Sequence, residues 1–585
     1  MQVTRRGSIG LVLALGLTAV SGASHAALSC ANLATVTSEA ATMTSAVVTP
    51  PGVVPGTPGT GNPPNNVSTG VTFCRVQGVA RPSGDSEIKF EVWLPATAAA
   101  WTGRLKVNGT GGYAGATPYA RLAQDIGDGF ITAGSNMGHD GGENASWTLG
   151  HPEKVKDWGL RAHYYVATAA KTLSQAFYDQ PVAHSYFEGC SNGGRQAMMM
   201  AQNYPELFDG IVAGAPSMFY PDILFWLIYT GKVLQPVLGQ QALSATKRSL
   251  ITQRVLDACD ANDGLVDGQI TNPRACTFDI DTLGPSGDNS LTAQELATVK
   301  AMYAGTRNEV TGELRYSGAK LGSEANFDPN FADNGGYGVF VGHYVYSTLD
   351  WTPANWRDKV NFSSIYDHTK AFISPVTAAP SPDIRTFTSR GGKIIHYHGW
   401  NDSVVPPDGS IAYLHALTQF ERLQHLPKHA FDQQVEQLSP QVVAATAQAF
   451  GKRVQEYHRL FMLPAVSHCG GGTGPSSIGG GAPEPTAAFR NAEHHVVSAV
   501  IKWVEDGVAP EKIVATRFGT GNVVVRQRPV CQYPAQAAYN GSGDTNSADN
   551  FSCVTPKLQE RTISATDILL IQNSLRQRDL KLPNR

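Results

Sequence analysis

The sequence has little charge, and the charges of the two signs nearly cancel. Only 16% of its 585 residues are Asp, Glu, Lys or Arg, and the formal net charge is −3. It therefore lacks the excess of positive charge by which proteins bind nucleic acids and anionic membrane surfaces. Hydrophobic residues make up 42% of the chain, as in folded proteins with a core. We expect no nucleic-acid or membrane partner, and a small or neutral ligand instead.

Long apolar runs are absent except for a short one near the N-terminus. Residues 9–20 are apolar, follow Arg5 and Arg6, and precede the small-residue stretch 23–26. This order is typical of a cleaved secretory signal, and the run is too short to cross a bilayer comfortably. We predict a signal peptide at residues 1–26 and a secreted or periplasmic mature protein. Both the general and the twin-arginine export routes stay open.

Cysteines are few, and no CxxC pair occurs, which argues against zinc ribbons and thioredoxin-type redox chemistry. All eight lie after the predicted cleavage site. An even number is what a full set of disulfides in an oxidising compartment requires. Eight cysteines permit 105 pairings, so their number alone does not give the connectivity. They are Cys30, Cys74, Cys190, Cys259, Cys276, Cys469, Cys531 and Cys553.

Short apolar strands alternate with helical segments over much of the chain. Strand patterns lie at 88–94, 185–188, 393–397 and 457–463, and a helical pattern lies at 161–178. This alternation predicts an α/β fold, a mostly parallel sheet with helices on both faces.

The alternation stops between about residues 217 and 385, where the sequence is rich in aromatic residues and in Gly, Asn and Asp. We therefore predict a core in two parts, 27–216 and 386–585, with an inserted lid domain at 217–385. The Pro- and Gly-rich stretch 44–70 is predicted to be an extended surface loop.

One stretch matches the nucleophile-elbow pattern G-x-S-x-G, at residues 189–193 (Gly-Cys-Ser-Asn-Gly). The chemistry needs glycines here because the serine sits in a tight, strained turn between a strand and a helix. A plain glycine turn that starts a helix is the alternative. A strand pattern precedes the motif and a helix-forming run begins near Arg195, which is the context that the motif requires. We predict that Ser191 is a nucleophile.

A serine hydroxyl needs a base, and the base needs an orienting acid. In α/β-hydrolases the chain order is serine, acid, histidine. His468 and Asp402 each follow a predicted strand, in the loops where sites of open α/β sheets lie. Asp408 is the rival acid, but it lies farther from its strand. We predict that Asp402 and His468 complete the triad.

Two cysteines support this choice among sixteen histidines. Cys190 directly precedes Ser191, and Cys469 directly follows His468. Because proton transfer needs the serine and the histidine within about 3 Å, their neighbours come within disulfide reach. Two unrelated cysteines are the alternative. We predict a Cys190–Cys469 bond that links the two catalytic loops.

The Cys-Ser and His-Cys dipeptides, together with Asp402, resemble the tannase/feruloyl esterase family, which also contains mono(2-hydroxyethyl) terephthalate hydrolase. Other stretches from about residue 74 to 553 look similar too: 138–140, 208–216, 528–531 and 539–544. The resemblance implies an α/β-hydrolase core with an inserted lid. It also implies disulfides Cys30–Cys74, Cys259–Cys276 and Cys531–Cys553.

The same resemblance implies an oxyanion hole made by two backbone N–H groups. One belongs to Asn192, directly after the nucleophile, and the other is carried over to Gly112, with Gly111 as the alternative. A glycine suits this position because a Cβ would obstruct the substrate's tetrahedral oxygen.

Residues 259–269 concentrate three aspartates among turn-forming glycines, a composition that suits oxygen ligation of calcium. The loop is not an EF-hand, because Thr271 stands where the twelfth-position glutamate would be. A solvated acidic loop is the alternative. The family resemblance implies a structural Ca²⁺ held by the side chains of Asp260, Asp263 and Asp267 and the carbonyls of Leu265 and Gln269.

The predicted lid is rich in aromatic residues, which could stack on ferulate, gallate or terephthalate. Most are expected to form the lid's own core, so none is assigned to substrate: Phe219, Tyr220, Phe225, Trp226, Tyr337, Phe340, Tyr344, Tyr346, Trp351 and Trp356. The terephthalate-cleaving relatives hold a carboxylate with a lid arginine. Residues 338–348 contain none, and Arg357 lies beyond.

The leading hypothesis is a secreted serine esterase acting on small esters of hydroxycinnamic or gallic-type acids. Terephthalate monoesters or aliphatic esters are alternative substrates, and a non-catalytic, calcium-dependent binding protein is the contrasting class. The oligomeric state and the role of residues 425–454 and of the C-terminal tail stay open.

Overall fold

The computed structural model describes residues 27–56, 66–141, 144–556 and 563–578. The predicted signal peptide lies outside the described residues. Within those ranges, no helix has the length and apolar character needed to cross a membrane.

A ten-stranded sheet forms the centre of the fold. In chain order its strands are β1 (Thr37–Ser38), β2 (Ala41–Thr49), β3 (Phe73–Ala80), β4 (Ile88–Pro95), β5 (Arg104–Asn108), β6 (Ile131–Ser135), β7 (His184–Cys190), β8 (Gly210–Gly214), β9 (Lys393–Gly399) and β10 (His458–Leu463). Their order across the sheet is β1-β2-β3-β4-β6-β5-β7-β8-β9-β10. Strands β5 to β10 pair with one another in parallel, β1 to β4 pair with one another antiparallel, and β4 joins β6 antiparallel. The predicted α/β class is confirmed.

The parallel strands are buried on both faces, as parallel strands covered by helices require. The helices of the first core part are α1 (Tyr119–Gly127), α2 (Pro152–Lys156), α3 (Ala162–Tyr178) and α4 (Asn192–Asn203). Helix α4 starts directly after Ser191, so the expected start near Arg195 was three residues late. The two glycines after the serine have helical geometry here, because the strand and α4 meet without an intervening loop.

A long insertion separates β8 from β9. It contains α5 (Tyr220–Leu234), α6 (Ala245–Cys259), α7 (Ala293–Ala304), α8 (Phe331–Asn334), α9 (Tyr337–Phe340), α10 (Trp356–Lys359), α11 (Ser364–Thr377) and α12 (Arg385–Ser389), with a small hairpin of Thr306–Arg307 and Leu314–Tyr316. Part of it has a separate apolar cluster that includes Ile251, Val255 and Val299. The lid boundaries at 217 and 385 stay a prediction.

The second core part carries α13 (Asp408–Leu423), α14 (Lys428–Glu436), α15 (Pro440–Val454), α16 (Val496–Asp506) and α17 (Ala565–Arg576). Two antiparallel hairpins lie near its end, Lys512–Phe518 with Val524–Cys531 and Gln536–Tyr539 with Phe551–Val554. The unassigned stretch 425–454 forms α14 and α15. Phe431 of α14 and Val443 of α15 are buried in the main core, so this stretch is part of the body of the protein.

The prediction of a surface loop at 44–70 is wrong at its start. Residues Ala41–Thr49 form β2, which pairs antiparallel with β3. Threonine and valine are frequent there, and β-branched side chains favour a pleated edge. Further along, Gly52–Val54 pairs with Val67–Thr69, and residues 57–65 lie outside the described ranges.

Four disulfides join the eight cysteines, and they are the four predicted pairs. Their Cα–Cα distances are 5.7 Å for Cys30–Cys74, 5.9 Å for Cys190–Cys469, 5.5 Å for Cys259–Cys276 and 5.7 Å for Cys531–Cys553. No cysteine is free.

Candidate active site

Ser191 occupies the turn between the last residue of β7 and the first residue of α4. Its backbone lies at φ 63° and ψ −122°, a strained conformation for a residue with a side chain. Three backbone hydrogen bonds hold it there. The Ser191 N–H donates to the Gly214 carbonyl at 3.0 Å, and the Ser191 carbonyl accepts from Arg195 N–H at 3.0 Å and Ser217 N–H at 3.2 Å. The predicted elbow is therefore present as a strained strand-to-helix turn.

The glycines of the motif are needed because backbones approach closely around this turn. A Cβ on Gly189 would lie 2.6 Å from the Gly193 carbonyl carbon. A Cβ on Gly109, in the preceding glycine-rich loop, would lie 2.9 Å from the Gly193 Cα. Side chains at these positions would push strand, helix and loop apart.

Asp402 and His468 form a hydrogen-bonded pair. The His468 Nδ1 lies 2.7 Å from Asp402 Oδ2. The Asp402 side chain is fully buried, whereas that of His468 is 18% exposed. The other carboxylate oxygen accepts the backbone N–H groups of Val404 at 2.9 Å and Val405 at 2.8 Å. These contacts fix the orientation of the carboxylate toward the imidazole.

The pKa of Asp402 results from opposing influences. Burial alone would raise it, but the charge of His468 and hydrogen bonds from His398 and His468 outweigh burial and hold the pKa below its usual range. Asp402 is therefore a stable anion at neutral pH, as the orienting acid of a triad must be.

The Cys190–Cys469 bond joins the turn that carries Ser191 to the loop that carries His468. Ser191 and His468 flank this disulfide, whose Cα atoms are 5.9 Å apart. Gly481 packs against it so closely that a Cβ there would lie 2.7 Å from the Cys190 nitrogen.

The glycine-rich loop after β5 is tied to the start of α4. Gln196 Oε1 accepts the Thr110 N–H at 3.0 Å, and Asn192 Nδ2 donates to the Thr110 carbonyl at 3.3 Å. Gly112 has φ 49°, and its carbonyl accepts from Trp158 Nε1 at 3.2 Å. The two residues predicted for the oxyanion hole, Gly112 and Asn192, thus belong to adjoining, mutually bonded segments.

The rival acid Asp408 has other partners. It is the first residue of α13, and its buried carboxylate is paired with Arg274 and Lys320. Asp567 of α17 shares Arg274 at 2.7 Å. Asp408 therefore belongs to an ion-pair network between the insertion, α13 and α17, and the pair with His468 is made by Asp402.

Two further residues at the site escaped the sequence reasoning. His398 Nε2 lies 3.1 Å from Asp402 Oδ2, a contact hinted at only by a histidine four positions before the acid.

The second of these residues, Arg195 of α4, is fully buried. It donates to the Gly159 carbonyl at 2.7 Å, and its guanidinium carbon lies 4.6 Å from the Trp158 ring centroid. Burial lowers the Arg195 pKa to about 10. No sequence pattern marks this residue.

The predicted calcium loop folds around its own aspartates. Asp260 accepts the Gly268 N–H at 2.8 Å and the Gln269 N–H at 3.0 Å. Asp263 accepts the Leu265 N–H at 3.0 Å, and Asp267 is paired with Arg528. Among the described residues, no group of three or more Asp, Glu, His or Cys side chains is poised around one point for a metal.

Most of the aromatic residues singled out in the insertion are buried. Tyr346 is exposed, and the other nine belong to the core. Tyr113, next to Gly112, stacks on Phe340 with ring centroids 5.1 Å apart, and its hydroxyl accepts a hydrogen bond from the Tyr220 hydroxyl at 2.5 Å. The insertion is therefore joined to the glycine-rich loop through packed rings.

The strand order, the strained serine turn and the hydrogen-bonded aspartate–histidine pair define an α/β-hydrolase. The family model described as "Tannase and feruloyl esterase" matches residues 74–554. The chain belongs to this family, and it is accordingly a carboxylic ester hydrolase.

Individual relatives agree with the family assignment. An uncharacterised esterase of Xanthomonas campestris is 34% identical over 556 residues, which cover 90% of this chain and 92% of the relative. A probable feruloyl esterase B-1 of Aspergillus fumigatus is 30% identical over 511 residues, covering 84% and 88%.

Solved structures show the same fold. Feruloyl esterase B from Aspergillus oryzae superposes with a TM-score of 0.76 at 26% identity, covering 89% of this chain and 98% of that one. The tannin acyl hydrolase from Aspergillus niger gives a TM-score of 0.66 at 19% identity, covering 93% and 95%, and shows the fold alone.

Proposed function

We propose that this protein hydrolyses carboxylic esters of aromatic acids, of the hydroxycinnamic or gallic type, through an acyl-enzyme on Ser191. The observation that carries the serine mechanism is the hydrogen bond of 2.7 Å between Asp402 and His468, whose loop a disulfide joins to the strained serine turn. That geometry suits acyl transfer because it holds a base beside a raised hydroxyl.

The steps follow from the hydrogen bonds of the pair. Asp402 accepts the Nδ1–H of His468, which leaves the Nε2 lone pair to remove the Ser191 proton. The alkoxide attacks the ester carbonyl, and His468 then gives the proton to the departing alcohol. A water molecule then attacks the acyl-enzyme. His468 takes the water's proton and returns it to Ser191 as the acid is released. Backbone N–H groups of Asn192, at the start of α4, and of Gly112 stabilise the oxyanion.

The aromatic acyl group is supported by the names of the relatives. Several relatives are described as probable feruloyl esterases. Terephthalate monoesters have less support, because Arg357 is buried and donates to the Asp333 carboxylate and, at 2.8 Å, to the Gln235 carbonyl. It is therefore committed within the insertion.

A substrate panel tests the proposal. Wild-type protein and Ser191→Ala are incubated with methyl ferulate, methyl gallate, mono(2-hydroxyethyl) terephthalate and 4-nitrophenyl butyrate. We expect the wild type to prefer one of the first two, and Ser191→Ala to lose activity on all four. A preference for 4-nitrophenyl butyrate or the terephthalate ester refutes the aromatic-acid assignment, and an active Ser191→Ala refutes the serine mechanism.

We further propose that the 259–269 loop binds a structural Ca²⁺. Burial first, and then repulsion between the aspartates, raises the pKa values of Asp263 and Asp267, and Gln269 Oε1 is buried without a partner. A cation with oxygen ligands would relieve the repulsion between the aspartates that remains beside the Asp267–Arg528 pair. The side chains of Asp260, Asp263 and Asp267 and the carbonyls of Leu265 and Gln269 would hold it.

Calcium removal tests that proposal. Treatment with a chelator should lower the melting temperature, and added Ca²⁺ should restore it, because an ion that binds only the folded state stabilises it. Asp263→Asn should be insensitive to both treatments. An unchanged melting temperature in the wild type refutes calcium binding without affecting the esterase proposal.

The proposed location is the periplasm or the exterior of the cell. Four disulfides support it, since they persist in oxidising compartments. Cell fractionation and the mass of the exported protein test it, with Ala27 as the expected first residue.

A further inference from the structure

A chain of hydrogen-bonded groups leads from Asp402 into the core. His398 Nε2 lies 3.1 Å from Asp402 Oδ2, and His398 Nδ1 lies 2.6 Å from Ser410 Oγ. Ser410 Oγ is 2.8 Å from His396 Nε2, and His396 Nδ1 is 3.2 Å from His458 Nε2. All five side chains are buried, at 0–1% exposure. The triad acid is thus the end of a dry chain of three imidazoles and one hydroxyl.

The fold brings these residues together by simple periodicity. His396 and His398 lie two positions apart on β9, so their side chains leave the same face of the sheet. His458 starts the neighbouring strand β10, and Ser410 lies in the first turn of α13, which covers this face. Burying three imidazoles at one strand pair is costly unless their polar atoms are satisfied.

When all three rings are neutral, the protons of these hydrogen bonds can be donated in one direction along the chain only. His398 Nε2 faces two acceptors, Asp402 Oδ2 and the Val405 carbonyl at 2.8 Å, so it must carry the proton. His398 Nδ1 is then an acceptor, and it takes the single proton of the Ser410 hydroxyl.

The same order of donors and acceptors continues from Ser410 to the two remaining histidines. Having donated its proton, Ser410 Oγ must accept from His396 Nε2–H, and His396 Nδ1 then accepts from His458 Nε2–H. Every donor therefore points toward Asp402. In the reverse direction, His398 would present a lone pair to two acceptors unless it were doubly protonated.

Burial favours the neutral form of two of the three rings, His458 and His396. Burial lowers the pKa of His458 to about 3, and it lowers the pKa of His396, which the neighbouring histidines depress further. The Asp408 carboxylate, on the same helix as Ser410, is neutralised by its own cations. Those cations are Arg274 and Lys320, and the titratable groups that adjoin the chain are Asp402 with His468 at one end and Tyr413 beside His458 at the other.

We propose that His458, His396, Ser410 and His398 form a one-directional chain of neutral donors, and that His398 is the positioning residue through which this chain orients the Asp402 carboxylate. The inference rests on the proposed role of Asp402 as the triad acid. The donor at Oδ2 holds that oxygen toward His468 Nδ1 and withdraws part of its charge. Losing the donor makes the Asp402–His468 pair bind its proton more tightly, so the acid limb of the pH–rate profile moves to higher pH.

The first test reads the protonation state directly and needs no turnover. Ring ¹⁵N chemical shifts at pH 7.5, assigned with single histidine variants, should show His398, His396 and His458 as Nε2–H tautomers, with His396 and His458 still neutral at pH 6. An Nδ1–H tautomer in any of the three, or a doubly protonated His398, overturns the proposed direction. Because Ser191 takes no part in this readout, its outcome is separate from that of the esterase proposal.

The second test measures the effect on the triad. His398→Leu removes the donor. It should lower kcat by about 10- to 100-fold, which corresponds to the loss of a hydrogen bond to a charged group, and move the acid limb of the pH–rate profile to higher pH. His398→Gln keeps an amide N–H near the Nε2 position and should recover most of both effects. His415→Gln on α13, which removes an imidazole outside the chain, should leave both unchanged.

Two results of the second test contradict the proposal. One is a His398→Leu enzyme with wild-type kcat and an unmoved acid limb. The other is an equal loss in the Leu and Gln variants with an unmoved acid limb, which would mean that His398 acts through packing alone. Melting temperatures of all variants separate loss of folding from loss of turnover.

Discussion

Removing the disulfide beside the triad should damage catalysis more than removing any other disulfide. The perturbation is the double substitution Cys190→Ala and Cys469→Ala, with Cys531→Ala and Cys553→Ala as the matched control. The first bond closes 279 residues and the second 22. Chain entropy gives about 5–6 kcal/mol of stabilisation for the longer loop and about 3–4 kcal/mol for the shorter, so the stability losses differ by roughly 2 kcal/mol.

The catalytic losses should differ far more. Ser191 and His468 are direct neighbours of the first bond, whose Cα atoms are 5.9 Å apart, and a misplacement of about 1 Å between proton-transfer partners costs roughly 100-fold in rate. The assay is kcat on an activated aryl ester, measured well below both melting temperatures, with unfolding monitored in parallel. We expect about a 100-fold loss in the first variant and less than threefold in the control. Equal losses in kcat would refute the idea that this bond positions the triad.

Three more predictions follow from individual contacts. Asp402→Asn should lower kcat by about four orders of magnitude with an unchanged fold, because an amide does not hold the His468 tautomer; a loss below tenfold counts against Asp402 as the acid. Gly481→Ala places a Cβ 2.7 Å from the Cys190 nitrogen at φ +98° and should cost about 1–3 kcal/mol of stability; an unchanged melting temperature would show that the loop yields freely. Burial lowers the pKa of His458 to about 3, so the unfolded chain takes up the proton first, and this contribution to stability is present above pH ~6.5 and lost as the pH falls toward 3. His458→Leu should flatten the unfolding free energy against pH over that window, and identical slopes would contradict a buried neutral imidazole.

The parts of the fold that follow from the sequence are those with strong local patterns. The strand before Ser191 and the helix after it combine an apolar run, two glycines and a helix-forming segment, so their order was predictable and the fold class was correct. Cys190 and Cys469 added a distance constraint that local patterns lack. Strand β2 was missed because its Thr-containing sequence runs into a Pro- and Gly-rich stretch and resembles a loop until its antiparallel partner is known.

The parts of the site that could not be predicted depend on contacts between distant segments. His398, His396 and His458 are three of sixteen histidines, and only the pairing of β9 with β10 and the covering helix α13 bring them into one chain. Arg195 likewise acquires its partners from Gly159, which lies just before α3, and from Thr377 at the end of α11. Sequence spacing carries no signal for such neighbours.

The central claim is that Ser191 is the nucleophile, and covalent labelling tests it most directly. The protein is treated with an aryl fluorophosphonate, its intact mass is measured, and the modified peptide is sequenced by mass spectrometry. We expect one adduct per chain, on Ser191, with complete loss of esterase activity and no adduct on Ser191→Ala. An adduct on another residue together with loss of activity, or full activity in a protein labelled at Ser191, would contradict the claim.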